Sequence, residues 1–226
     1  MLFALAAFVA LGLWQVQRLH WKHDLIARVD ARVHAAPAPL PSAPRLTSAA
    51  PGTLDYLRVK VSGTYAGPQT ALVRAATDLG TGYWAMTPLR MSDGRTVWIN
   101  RGFLPAGTTA AQAGRTAPAG PVSITGLVRP SEPGGSLLQS NRPQEDRWYS
   151  RDLAALSQAK HAGPAAPVFI DAQTETASSP AAGHPAPVPG LTVIHFPDNH
   201  LQYALTWFAM AVLSAVGIGV VWHRRA

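Results

Sequence analysis

Residues 201–222 read LQYALTWFAMAVLSAVGIGVVW, a run without Asp, Glu, Lys or Arg. As a helix it would extend about 33 Å at 1.5 Å per residue, enough to cross a hydrocarbon core of about 30 Å. Phe196-Pro197-Asp198-Asn199 precedes it: proline blocks a helix upstream, and Asp198 or Asn199 can cap the start. His223-Arg224-Arg225 follows, a basic flank of the cytoplasmic kind. Residues 1–17, MLFALAAFVALGLWQVQ, form a second uncharged run. This run lacks a basic leader and an obvious cleavage site, and it passes into Trp14-Gln15-Val16-Gln17-Arg18, an aromatic and basic edge. A spanning helix is therefore expected rather than a cleaved signal peptide.

Between the two runs the composition changes. All 20 prolines of the 226-residue chain lie from Pro37 to Pro197. The expected organisation is a transmembrane helix over 1–20, a stalk helix and Pro/Ala linker over 21–51, a β-rich domain over 52–197 and a second transmembrane helix over 198–223. Leu25, Val29 and Val33 recur every four residues, which continues the first helix into the stalk. Residues 34–51, rich in Ala and Pro, read as the linker. Residues 56–65 alternate, with Leu57, Val59 and Val61 on one face, and residues 71–75, 82–89, 96–104 and 122–128 read as further strands. Asp93-Gly94 marks a hairpin. Residues 152–160 read as one short helix capped by Asp152, and residues 168–172 and 191–195 as the last strands. Two transmembrane helices thus flank a mostly-β domain, a small barrel or sandwich with one short helix.

Orientation is contested by charge. Arg18, Lys22, Arg28 and Arg32 follow the first span and pull the insert inward, whereas Arg224 and Arg225 pull the other way. With two spans both termini share one side, so both signals cannot be obeyed.

Several chemistries are excluded. The absence of Cys removes disulfides, thiolate metal centres and Cys nucleophiles. Nucleotide, serine-hydrolase and zinc-hydrolase signatures are missing. Glu132, Glu145, Asp146, Asp152, Asp171 and Glu175 are scattered, and Glu145-Asp146 reads as a solvated turn whose neighbours Arg142, Arg147 and Arg151 form surface pairs. The net charge of +7 is spread without a basic stripe, so no nucleic-acid partner is expected. Arg101-Gly102 lies in a strand-like run where Gly allows a close backbone approach, a bulge or tight packing.

The informative constellation lies at the membrane edge. His200, Tyr203 and Trp207 fall at i, i+3 and i+7 on one helical face, with small Ala211 and Ser214 farther along. Trp14, Arg18 and Trp21 share that spacing in the first span. The two ends lie on the same side of the bilayer, so these faces are expected to meet. A haem needs an imidazole ligand, flat apolar walls and cations for its propionates, and this corner contains each. The alternative is an aromatic belt with His200 capping its helix. His195 is a second candidate ligand.

The chain resembles a known family at this point. Leu11-Gly12-Leu13-Trp14-Gln15-Val16-Gln17-Arg18 followed by Trp21-Lys22, then Tyr56-Leu57-Arg58-Val59-Lys60-Val61-Ser62-Gly63, is similar to the Surfeit locus protein family of cytochrome c oxidase assembly factors. Ile99-Asn100-Arg101-Gly102-Phe103-Leu104-Pro105, Gly126-Leu127-Val128-Arg129, Asn141-Arg142-Pro143, Trp148-Tyr149-Ser150-Arg151-Asp152, Val168-Phe169-Ile170-Asp171-Ala172 and Asn199-His200-Leu201-Gln202-Tyr203-Ala204-Leu205-Thr206-Trp207 continue the match in order. The family's paired-glycine turn before the last strand is replaced by His184-Pro185-Ala186-Pro187-Val188-Pro189-Gly190. The abrupt start of the first span at Met1 leaves room for upstream residues.

The resemblance implies a non-catalytic assembly factor of the bacterial inner membrane. Both termini would be cytoplasmic and the central domain periplasmic. Its client would be subunit I of an aa3-type oxidase, its cofactor a transiently bound haem a, and haem a synthesis enzymes and membrane lipid its further partners. His200 would be the metal ligand, with Trp14, Tyr203 and Trp207 walling the porphyrin and Arg18 meeting a propionate. The competing expectation is a cofactor-free tethered protein that stabilises nascent subunit I.

Overall fold

A computed structural model describes residues 2–136, 138–177, 186–192 and 198–224. The chain divides into two compact units, residues 1–31 with 194–226, and residues 32–193.

The first unit is helical. Helix α1 (Leu2–His34) runs through the first apolar stretch and the stalk without a break, as the spacing of Leu25, Val29 and Val33 predicts. Helix α5 (His200–His223) covers the second. Among the described residues these two are long and apolar enough to cross a membrane. Asp198 serves the start of α5, accepting a 3.2 Å hydrogen bond at Oδ1 from the His200 N–H. It thereby satisfies one of the open donors of a helix N-terminus. The two helices pack through a narrow apolar seam: Phe8 stacks on Trp207 at 5.8 Å between ring centroids. Gly12 faces the Phe208 ring so closely that any Cβ would collide with it. Ala204 and Ala211 are buried, the small-residue approach expected of such a pair.

The second unit is a closed sheet. Strand β1 (Ala38–Pro39) lies parallel to β2 (Arg58–Tyr65). Strands β3 (Ala71–Thr77), β4 (Gly80–Met91), β5 (Thr96–Pro105), β6 (Pro121–Pro130) and β7 (Ala165–Ala177) complete the order β1-β2-β6-β7-β5-β4-β3. A further pairing of Gly63–Tyr65 with Leu89–Met91 joins β2 to β4. The ring β2-β6-β7-β5-β4 therefore closes on itself, which removes the free edges of those strands. Of the two folds left open by the sequence, the barrel is the one formed. Asp93-Gly94 makes the β4–β5 hairpin, as the dipeptide predicts.

Alternation explains the filling. Val59 and Val61 of β2 point inward with Leu89, Val97, Ile99, Ile124, Val128 and Ile170. The opposite face of β5 is also covered: Trp98 packs with Phe169, Trp148, Leu153 and Leu156 beneath helix α4 (Leu153–Ala159). Trp98 Nε1 donates to Ser157 Oγ at 2.9 Å. Helix α4 is capped by Asp152, whose Oδ1 accepts from Ala155 N at 3.1 Å, as expected from sequence. Helix α3 (Ala110–Arg115) is held by a Thr109–Gln112 capping box.

Three expectations need correction. Residues 34–51 are not a plain linker: they contain β1 and a short helix α2 (Ala43–Ser48). Leu40 and Leu46 enter the barrel core, because two leucines in a Pro/Ala run are enough to anchor it once an apolar barrel end is available. Arg151 forms no surface pair. Its guanidinium is half-sheltered against Glu132, with Nε donating to Oε2 at 2.9 Å, and NH1 stands 3.5 Å from Asp171. Burial works against that charge, but the Glu132 hydrogen bonds and Asp171 outweigh it and raise the Arg151 pKa. Finally, Leu191 and Thr192 are not in a strand, while residues 193–195 lie outside the described residues. The neighbouring Val188 bridges Phe103 instead, with N–H···O distances of 2.9 Å both ways.

Arg101-Gly102 resolves into a packing role. Arg101 is buried, its Nε and NH2 donating to Glu175 and its NH1 and NH2 to Thr116 at 2.9–3.0 Å. Tyr65 donates to the same Glu175 at 2.6 Å, and the Arg101 guanidinium lies over the Tyr65 ring, 4.9 Å from its centroid. The Glu145-Asp146 turn is a solvated surface element, with Glu145 paired to Arg142 and Arg147.

Candidate functional site

The site is built on the facing surfaces of α1 and α5. His200 occupies the first turn of α5 and is half-buried. Its Nδ1 lies 2.8 Å from Oε1 of Gln15 on α1. Gln15 is only 9% exposed. With the amide oxygen facing it, Nδ1 is the donor of this contact, which in the neutral tautomer leaves the lone pair on Nε2. No described residue engages Nε2. This is the arrangement in which a neighbouring acceptor fixes both the tautomer and the ring plane of a ligating histidine.

A second link lies about two turns further along α1. His23 Nε2 stands 2.9 Å from Asp198 Oδ2, whose other oxygen accepts from the His200 N–H. Asp198 thus joins the stalk portion of α1 to the first turn of α5. The His23 side chain is largely exposed, so the pair contributes little stability.

The other sequence candidates divide. Trp207 is half-buried and stacked on Phe8, inside the helix seam. Trp14 and Tyr203 are 53% and 54% exposed, on flanks beside that seam. Arg18 is exposed and lies over the Trp21 ring, 3.9 Å from its centroid. The face of α1 that meets α5 is therefore Phe8, Gly12 and Gln15, not Trp14, Arg18 and Trp21. Trp14, one residue before Gln15, and Arg18, three after it, sit on the neighbouring stripe, about 100° and about 60° around the helix from Gln15. His195 falls outside the described residues.

Gln15 is the residue the sequence reading passed over. The available signal was its position: an amide inside an apolar span has to find a polar partner, and His200 offers one at the same membrane edge. Among the described residues no group of three or more His, Asp or Glu side chains is disposed to hold a metal ion. The geometry offers one imidazole nitrogen, oriented from behind.

Comparison with known proteins agrees with the resemblance read from the motifs. The model of the SURF1 family matches residues 2–212. Surfeit locus protein 1 of Rattus norvegicus is 34% identical over the whole of this chain and 74% of that protein. The Mus musculus protein of the same name is 36% identical over 93% of this chain and 70% of its own length. The Homo sapiens protein is 34% identical over 95% and 72%. A match that takes in α1, the whole barrel and the first half of α5, with relatives aligned over nearly the full chain, places this protein in the SURF1 family.

Proposed function

We propose that the protein is a membrane-anchored, non-catalytic assembly factor for an aa3-type haem-copper oxidase, which binds haem a through His200 and releases it to subunit I. The observation that carries the cofactor half is the 2.8 Å contact between His200 Nδ1 and Gln15 Oε1. The donor chemistry fits a haem: an imidazole held through Nδ1 with no described residue on Nε2, an exposed indole and phenol in Trp14 and Tyr203, and an exposed guanidinium in Arg18. Family membership supports the oxidase half, and the two apolar helices support anchoring.

In this reading Gln15 would orient the ring, His200 would hold the haem iron, and Trp14 and Tyr203 would offer flat surface on either flank. Trp207 stays in the helix seam and holds the first turn of α5 in place. Arg18 meets a propionate. When bound, haem a would supply an iron that can exchange its protein ligand. Attachment through a single histidine would suit a carrier that must let go. The central barrel would stand on the periplasmic side of a bacterial inner membrane, with both termini cytoplasmic.

Optical spectroscopy of the detergent-purified protein, co-expressed with haem a synthesis enzymes, tests this. Haem a should co-purify with the wild type and be lost from His200→Ala. Equal haem content in the two would remove the site and favour a cofactor-free protein that stabilises nascent subunit I.

A further inference from the structure

The barrel carries a cleft of about 520 Å³, formed wholly within residues 32–193. Its walls include Trp84, Ala76, Ala172 and Leu191, and its floor is polar: Asn100, Arg129, Arg151 and Asp171. That volume is in the range of small-molecule sites, as is the mixture of apolar wall and few converging polar groups.

The floor is almost fully paired. Asp171 accepts from Asn100 Nδ2 at 2.8 Å and from Thr192 Oγ1 at 3.1 Å, and Arg151 stands at 3.5 Å. Asn100 uses its other end on the Gly102 N–H. Arg151 spends Nε and NH2 on Glu132. Arg129 is different. Its guanidinium packs over the Tyr56 ring at 4.7 Å, and its closest carboxylate, Asp171, is 3.8 Å away, beyond hydrogen-bond reach. Its Nε is buried and has no hydrogen-bond partner. Nε is itself closed off, so the cleft meets Arg129 through the terminal nitrogens, and no described residue accepts a hydrogen bond from them.

We infer that this cleft is a binding site for a small monocarboxylate with an apolar body, the carboxylate accepting from Arg129 and the body lying against Trp84, Ala172 and Leu191. The charge pattern selects the class. A single under-used guanidinium matches one negative charge, whereas Asp171 on the floor and the exposed Asp78 at the rim would repel a second. A phosphate dianion is disfavoured for that reason. The inference is independent of His200 and of haem, since no residue of α1 or α5 takes part.

The test uses the full chain in detergent, with fluorinated tryptophan as an NMR reporter and the Trp84 signal assigned through Trp84→Phe. Phenylacetate is the probe, and phenylacetamide and inorganic phosphate are the comparisons. Phenylacetate should shift the Trp84 signal saturably, and the amide and phosphate should not. Arg129→Gln should weaken binding by about tenfold or more, a loss of the size expected for one charge-assisted pair. Ala76→Trp fills the cleft while leaving Arg129 in place, so it should abolish the shift in a protein whose other tryptophan signals are unchanged. Equal response to acid and amide, preference for phosphate, or undiminished binding in either variant would overturn the inference.

Discussion

Gly102 shows how one residue sets up a surface. Its φ of +125° belongs to a region open to glycine alone among the common residues. A Cβ there would strike the Val188 carbonyl, which accepts from the Phe103 N–H. The glycine therefore lets residues 186–192 lie against β5 and brings Thr192 to Asp171. Gly102→Ala should destabilise the barrel by about 1–3 kcal/mol from backbone strain alone, read as a lower midpoint in a detergent thermal melt. An unchanged midpoint would contradict both the strain at this position and the collision with Val188. Residue type had suggested close approach at this position, but not which segment approaches. Gln15 was hidden for a related reason. Trp14 and Arg18 look more chemical in a sequence, yet the rotation of α1 about its axis decides which side chain meets His200, and that rotation is set by the Phe8–Gly12 seam.

Among the elements, the α1–α5 pair offers the cleanest test, because the chain has no cysteine to interfere. Phe8→Cys with Trp207→Cys should be bridged by a short bifunctional thiol reagent that spans the space left by the two stacked rings. Adding Gly12→Leu should suppress the cross-link by forcing the helices apart at Phe208. Efficient cross-linking in the presence of the leucine would contradict the seam. The strands of the barrel were legible because β2 alternates and β4–β5 carries an Asp-Gly turn. Segment 34–51 was not, because Pro and Ala dominate its composition and the two leucines that dock it, Leu40 and Leu46, form no period of their own. Asp152 was legible as a cap because capping is local: the carboxylate and the amide it serves are three residues apart.

For the barrel as a whole, Tyr65, Arg101, Thr116 and Glu175 tie β2, β5 and β7 to the end of α3 across more than half of the unit's sequence. Burial, and then the Glu175 carboxylate, push the Tyr65 hydroxyl well above the ordinary tyrosine value. The sign follows from linkage: the folded state holds a proton that the unfolded chain releases once the pH passes about 10, so the associated stability is intact below that pH and lost as pH rises toward the folded pKa. Between about pH 9 and 11.5 the wild-type melting midpoint should therefore fall more steeply than that of Tyr65→Phe. Parallel curves would show that this hydroxyl stays unlinked to folding. The two apolar spans, the short strands between them, the Asp152-capped helix and the family could be read without any structure, because each rests on local periodicity, local capping or ordered motifs. Tertiary structure alone decided that the sheet closes as a barrel, that Gln15 backs His200, and that Arg129, Arg151 and Asp171 share one cleft. Those contacts join residues far apart in the chain, and only strand register and helix rotation bring them together.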